Sequence, residues 1–351
     1  MENLRRLIEK LETLHALTEK EYALLIQSYT EPLAAYAAQK AVALRKKYYS
    51  NHIYIRGLIE ISNYCKNNCL YCGIRRDNTS CERYRLEQTQ ILDCCAQGYS
   101  LGFRTFVLQG GEDGYYTDTR LCGIIRAIKN KYPDCAVTLS LGERTRQSYQ
   151  TLYDAGADRY LLRHETADPI HYGKLHPLEQ SFSERMRCLY DLREIGYQTG
   201  CGFMVGSPGQ TVETLAKDLK FIETFHPAMC GIGPFIPHHA TPFSDTPAGS
   251  IELTCYLLSL IRLIQPTILL PATTALSTLV LDGRERGVLA GANVVMPNLS
   301  PIQERKKYTL YDNKRFTEEE SAQNVARLRE SMSAIGYEVV TGRGDVIKNK
   351  S

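Results

Sequence analysis

The sequence contains no run of 18 or more apolar residues, no block of like charge, no internal repeat and no low-complexity tract, and each absence removes a class of protein. Without a long apolar run, nothing in it reads as a transmembrane helix. Lysine and arginine number 42 against 39 aspartates and glutamates, a net charge of only +3. Neither the charge balance nor any basic stretch therefore points to nucleic acid. The first residues, MENLRRLIEKLETLHAL, lack the apolar core and small-residue cleavage site of a secretory leader. A cytoplasmic location is expected, with neither membrane nor nucleic acid as a partner.

What is present is an ordinary globular composition, 43% hydrophobic and 23% charged over 351 residues. That length suits one α/β barrel of about 250 residues with pieces added at its ends. Residues 1–50 read as a helical extension, with apolar positions at helical spacing through Leu4, Leu7, Ile8 and Leu11 and again through Leu33, Ala37 and Val42. No residue fixes where this extension docks; the bottom of the barrel is one place for it. From there short β-rich runs alternate with helical ones, as in a parallel sheet built of βα units.

Eight strands are expected, at His52–Ser62, Thr105–Gln109, Ala136–Leu141, Arg159–Arg163, Gln198–Val205, Met229–Gly233, Thr267–Thr273 and Asn293–Met296. Helices are expected between them at Glu87–Leu101, Asp118–Lys131, Ser183–Ile195, Val212–Thr224, Ile251–Ile264 and Gly283–Ala290. Eight repeats argue for a complete (β/α)8 TIM barrel over residues 51–300. Residues 301–351 then supply a polar loop and a last helix, Glu318–Ile335, closing the barrel. In such a barrel the functional groups gather where strands end, and the polar motifs fall there: Ser62–Cys65, Gln109–Glu112, Ser140–Glu143, Arg163–Thr166 and Gly206–Gln210.

Of 12 cysteines, nine are scattered and read as small core hydrophobes. The other three, Cys65, Cys69 and Cys72, form C-x3-C-x2-C on the loop after the first strand. Thiols in a reducing compartment are metal ligands before they are disulfides. A structural zinc site wants four ligands, and no fourth cysteine or histidine stands at a matching distance; Cys81 comes nine residues later. A cubane iron–sulfur cluster normally takes four thiolates, so three leave one iron open to a ligand from outside the protein.

This spacing resembles the defining motif of the radical S-adenosylmethionine (SAM) superfamily. The resemblance implies a 4Fe–4S cluster on Cys65, Cys69 and Cys72 whose open iron binds the amino and carboxylate groups of SAM, with SAM cleaved to a 5′-deoxyadenosyl radical. It places Tyr71 beside the adenine. Gly111 and Glu112 would lie at the SAM amino group, where glycine permits close approach and a carboxylate meets an ammonium.

Within the superfamily the chain is most similar to the FeFe-hydrogenase maturase family HydE. His52–Arg76, Val107–Tyr116, Thr138–Glu143, AGADRYLLRHET at 155–166, GIGPFIPH at 231–238, PATTA at 271–275 and GANVVMPN at 291–298 carry the likeness. It implies that Ser140, Glu165 and Arg185 hold the SAM carboxylate and ribose, with Arg163 as scaffold. Gln109, Thr138, Arg159, Thr273 and Thr274 would form a polar, anion-binding floor, and Tyr308 and Tyr311 would lie over the mouth. The implied substrate is a small iron–cysteine complex bearing CO and cyanide, made by a sister maturase, with a scaffold maturase and an electron donor as further partners. A second cluster known in some members needs cysteines near the C-terminus, and none follows Cys255.

Three alternatives stand beside this reading. Methylornithine synthase, a lysine mutase, shares the cysteine motif and the Glu112–Asp113 region. Biotin synthase carries a second cluster on inner-strand cysteines, but those places hold Gln109, Thr138 and Gly200, and Cys201 is one residue off and faces outward. A non-catalytic iron–sulfur or zinc protein would bind metal without cleaving SAM. His164, His171 and His176 read as hydrogen-bonded structural residues, since radical cleavage needs no proton transfer.

Overall fold

In the computed structural model, which describes residues 1–314 and 324–347, most of the expected strands are present and several are interrupted. The run 52–62 is divided at Arg56 into β1 (His52–Ile55) and β2 (Gly57–Ser62). Next come β3 (Thr105–Gly110), β4 (Ala136–Ser140) and β5 (Arg159–Leu161). The run 198–205 becomes β6 (Gln198–Cys201) and β7 (Met204–Val205), and the run 229–233 becomes β8 (Met229–Cys230) and β9 (Gly233–Pro234). Close backbone contact causes these breaks: a Cβ at Gly202 would lie 2.1 Å from the carbonyl of Gly231. β10 (Val294–Val295) and a short β11 (Glu338–Val340) complete the set. The expected strand Thr267–Thr273 is not a ladder. Leu269 and Pro271 make single bridges, and Thr274 already begins a helix, Thr274–Leu279.

Those bridges close the ring. Strands β2, β3, β4, β5, β6 and β8 lie side by side in parallel. Leu269 bridges to Met229 of β8, Pro271 to Val294 of β10, and Asn298 returns to Leu58 of β2. The bonds that seal the seam are Leu269 N–H to Ala228 O (3.0 Å), Ala272 N–H to Val294 O (2.9 Å) and Leu299 N–H to Leu58 O (2.7 Å). A sheet closed in this way has no edge of unpaired backbone groups. The fold is an α/β barrel of the TIM type.

Five helices around the ring begin abruptly because a hydroxyl ends the preceding loop. Thr117, Thr145, Ser181, Thr211 and Ser250 each accept a hydrogen bond from the backbone N–H three residues on, a capping contact of about 1 kcal/mol. Each cap fixes where a loop at the strand ends must turn. The last helix spans Val325–Ala334; residues 318–323 of the helix expected there lie outside the described ones.

The N-terminal helices α1 (Glu2–Leu14), α2 (Glu19–Gln27) and α3 (Glu31–Tyr49) do not lie across the barrel bottom. They pack on the outer helices Val212–Phe225 and Ile251–Ile264. Tyr22 donates to Glu223 (2.7 Å), and His15 Nδ1 lies 2.7 Å from Leu263 O. Helix Ile251–Ile264 is thereby covered on both sides, which is why it is apolar almost all round and buries Leu257, Leu258, Leu260, Ile261 and Leu263.

The bottom is closed instead by the end of the chain. After β11 pairs with β1, His52 facing Glu338, the tail turns beneath the ring. Thr105 donates to Arg343 O (2.8 Å), Gln198 to Asp345 (2.8 Å), and the fully buried Arg159 to Thr105 Oγ1 (3.0 Å) and to Asp345 (2.6 Å). These partners open β3, β6 and β5, so the tail sits at the end opposite the polar motifs. Burial opposes ionisation of Asp345, but Arg343 and Arg159 outweigh it and hold the carboxyl well below the usual carboxylate range. A depressed carboxyl contributes stability in full above its unfolded value of about 3.9 and loses it as pH falls toward the folded value. Hydrogen exchange at Val339 and Val346 is accordingly expected to be slow at pH 6 and to accelerate below about pH 4. Asp345→Asn should show the fast exchange already at pH 6. Equal protection at both pH values would refute the tie.

Candidate active site

The sulfurs of Cys65, Cys69 and Cys72 line one cavity of about 330 Å³ at the C-terminal ends of the strands. The loop carrying them is held from both sides. Glu112 N–H points at Cys65 Sγ (3.4 Å), Leu70 N–H donates to Leu175 O (3.0 Å), and Gly73 N–H donates to Leu310 O (2.8 Å). Gly111 permits the approach, since a Cβ there would lie 2.2 Å from Tyr64 O and 2.7 Å from Cys65 Cβ. Burial pushes all three thiols up, Cys69 to about 12, and neighbouring cysteines of the trio push further on Cys69 and Cys72. Three protonated thiols gathered this way become thiolates when a cation joins them.

Their spacing tests which cation fits. Among the described residues, only His238, His239 and Asp312 bring three ligand atoms within 4.8 Å of one another. The cysteine trio is not gathered so tightly, so at least one pair of its sulfurs lies farther apart than the roughly 4 Å between sulfurs on a single zinc, given Zn–S bonds of about 2.3 Å. They suit a cluster with a separate iron for each thiolate. The histidine group is a hydrogen-bonded latch. Ala240 N–H donates to His238 Nδ1 (3.1 Å), which puts that ring's proton on Nε2, while Asp312 accepts from His239 N–H (2.7 Å).

The rest of the wall offers groups of both signs. Glu112 Oε1 accepts from Glu143 N–H (3.0 Å), whereas its buried Oε2 makes no hydrogen bond and has only Lys66 Nζ at 3.2 Å. Gly142, with φ of 76°, leaves room for this carboxylate; a Cβ there would strike Glu112 Cγ. Glu165, at φ of 63°, also presents a buried Oε2 without a hydrogen bond, 3.1 Å from Arg163 Nη2. A non-glycine residue held at positive φ is strained, and its neighbours hold it. Glu165 N–H donates to Gly202 O (3.0 Å), and Asp218, wholly buried, accepts from Ala167 N–H (2.5 Å) and faces His164 Nε2 at 3.3 Å. Carboxylate oxygens and guanidinium nitrogens that make no hydrogen bond, held only in ion pairs, fit a zwitterionic amino acid joined to a ribose, as SAM is.

Of the residues expected from sequence, Cys65, Cys69, Cys72, Tyr71, Gly111, Glu112, Ser140, Glu165, Arg185, Gln109, Thr273, Thr274 and Tyr311 all line this cavity. Thr138 and Arg159 do not. Thr138 is buried in the strand below with its hydroxyl unpaired, and Arg159 is drawn down to Asp345. The two upper arginines are engaged differently, Arg163 with Glu165 at 3.1 Å. Arg185 is committed to Glu143 (2.5 Å) and to Arg163 O (2.6 Å), while Arg163 keeps Nε and Nη2 without hydrogen bonds. Sequence reading missed Glu60 and Lys314, which also line the cavity as a buried ion pair, and Asp218 under the Glu165 turn. Isolated charges in a helix or strand carry no motif by which to find them. Tyr308 is buried beside Gln109, and His164, His171 and His176 are hydrogen-bonded to backbone.

Comparison with known proteins places this geometry. The radical SAM superfamily profile matches residues 59–222. The hydrogenase maturase subunit HydE of Thermotoga maritima is 47% identical over 271 residues, 77% of each chain. The 3-methylornithine synthase of Methanosarcina acetivorans is 28% identical over 85% of this chain and 83% of its own. The crystal structure of a methylornithine synthase superposes with a TM-score of 0.83 at 25% identity, covering 95% of this chain and 97% of that one. The fold is thus common to maturase and mutase and does not choose between them; the sequence does. By that identity and its extent the chain belongs to the HydE family of FeFe-hydrogenase maturases, radical SAM enzymes that work with a 4Fe–4S cluster and SAM.

Proposed function

We propose that Cys65, Cys69 and Cys72 hold the cluster, and that the cavity above the barrel binds SAM and then a small iron complex carrying cysteine, CO and cyanide, on the way to the diiron subcluster of FeFe-hydrogenase. The observation that carries this reading is the convergence of three half-buried cysteines with two carboxylate oxygens that make no hydrogen bond, and a guanidinium, on one cavity wall. The bound cluster supplies the electron that cleaves SAM to methionine and a 5′-deoxyadenosyl radical.

This chain's residues bind and orient. Glu112 Oε2 accepts from the SAM ammonium, Glu165 Oε2 from its ribose, and Arg163 donates to its carboxylate, with Arg185 fixing the carbonyl of residue 163. Tyr71, whose hydroxyl lies 3.3 Å from His176 Nε2, offers its ring to the adenine. Farther in, Gln109, Thr273 and Thr274 receive the polar ligands of the iron complex. The tail under the floor and the tyrosines at the mouth keep water out. A sister maturase, a scaffold maturase and a reductant are the partners this role requires.

Anaerobic reconstitution with iron and sulfide, reduction by dithionite and addition of SAM are expected to yield 5′-deoxyadenosine. A synthetic iron–cysteine dicarbonyl cyanide complex should accelerate its formation at least tenfold, and lysine should not. Acceleration by lysine alone would move the assignment to the mutase. A chain with an intact cluster that never cleaves SAM would be a metal carrier.

A further inference from the structure

Among the described residues, Cys69 makes one side-chain hydrogen bond outside its own loop. Gln180 Oε1 lies 3.3 Å from Cys69 Sγ and accepts from the thiol, while Gln180 Nε2 is buried and makes no hydrogen bond. The residue is well fixed. Its own N–H closes a turn onto Pro177 O (3.0 Å), and Ser181, the next residue, caps helix Phe182–Ile195. That helix carries Arg185 into the same cavity.

The arrangement is matched to a thiol and mismatched to a thiolate. A metal-bound cysteine has no proton to donate and only accepts, so a carbonyl oxygen facing it would be repelled. Turning the amide by half a rotation exchanges oxygen and nitrogen in nearly the same volume. The orphaned Nε2, costly where it is, then donates N–H···S to Cys69. The carbonyl left in its former place is the more tolerable of the two groups to leave unpaired.

We propose that Gln180 is an N–H···S donor to the cluster ligand Cys69 and sets the reduction potential of the cluster. The inference rests on the reading that Cys69 is a ligand. A donor aimed at a ligand sulfur stabilises the reduced, more negative cluster over the oxidised one, and hydrogen bonds to sulfur are among the determinants of iron–sulfur potentials. Gln180 would thus decide how strong a reductant the enzyme needs, without touching SAM.

The test is a redox titration of the reconstituted holoenzyme followed by electron paramagnetic resonance, in wild type, Gln180→Met and Gln180→Glu, with Cys69→Ala alongside. Gln180→Met is expected to make reduction about tenfold less favourable, a shift of about 59 mV to the negative for one electron. Gln180→Glu, which brings a carboxylate in place of the donor, should shift it farther in the same direction, and this variant carries the test if the methionine protein does not assemble. Cys69→Ala should lose the cubane signal. Should Cys69→Ala keep the wild-type signal, the ligand reading fails and the inference with it. Should it lose the signal while both Gln180 variants titrate with wild type, the ligand reading stands and the inference alone is overturned.

Discussion

Cys65→Ala, Cys69→Ala and Cys72→Ala are each expected to abolish 5′-deoxyadenosine formation while leaving the metal-free barrel nearly as stable as wild type. The two halves of this expectation have different causes. Activity is lost because two thiolates leave two irons of a cubane without protein ligands, and no other cysteine lines the cavity. Stability is kept because each change removes only one sulfur atom from a loop whose shape is set by backbone bonds, among them Leu70 to Leu175 and Gly73 to Leu310. Losing that sulfur costs on the order of 1 kcal/mol. Iron content, deoxyadenosine yield and the melting temperature of the apo protein separate the two halves. A variant that still makes deoxyadenosine would break the ligand assignment. One that unfolds without metal would mean the thiols are structural.

Glu60→Ala is expected to have the largest effect on stability of any single change at the cavity. Glu60 Oε1 lies 2.5 Å from Lys314 Nζ, Oε2 accepts from Asn298 (2.9 Å), and the side chains of Glu60 and Lys314 are 1% and 8% exposed. Removing one side of such a buried pair costs about 3–5 kcal/mol. For a chain of this size that is a fall in melting temperature on the order of 5 °C. Replacing both partners, Glu60→Met with Lys314→Met, should recover most of the loss, because exchanging a whole buried pair for apolar groups costs less than breaking one side of it. Calorimetry of the two single variants and the double variant forms a cycle. Strict additivity across it would show that the pair is not coupled.

Much of this was legible in the residues. The cysteine spacing, the glycines before Glu112 and the polar clusters at strand ends were visible because each is a local pattern whose chemistry sets its spacing. Strand boundaries were less so. The alternation through 52–62 reads as one strand, yet Arg56 diverts the chain from β1, paired with β10 and β11, to β2, paired with β3. β11 has three residues, too few for any periodicity to register. Arg159 shows a further limit: period-two reasoning gives the face a side chain leaves from, but a long arginine can run up or down the barrel, and a carboxylate some 186 residues away drew it down. The partners of Arg163 and Arg185 were hidden for the same reason, since Arg185 is held by Glu143 on another strand loop.

The pairing of β11 with β1 also bears on how the protein is made. The first strand of the ring cannot complete its ladder until residues 338–340 have been synthesised, and joining segments so far apart carries a large loop-closure cost before any contact repays it. The nascent barrel therefore waits with its floor open, and residues 338–347 act as the final stitch.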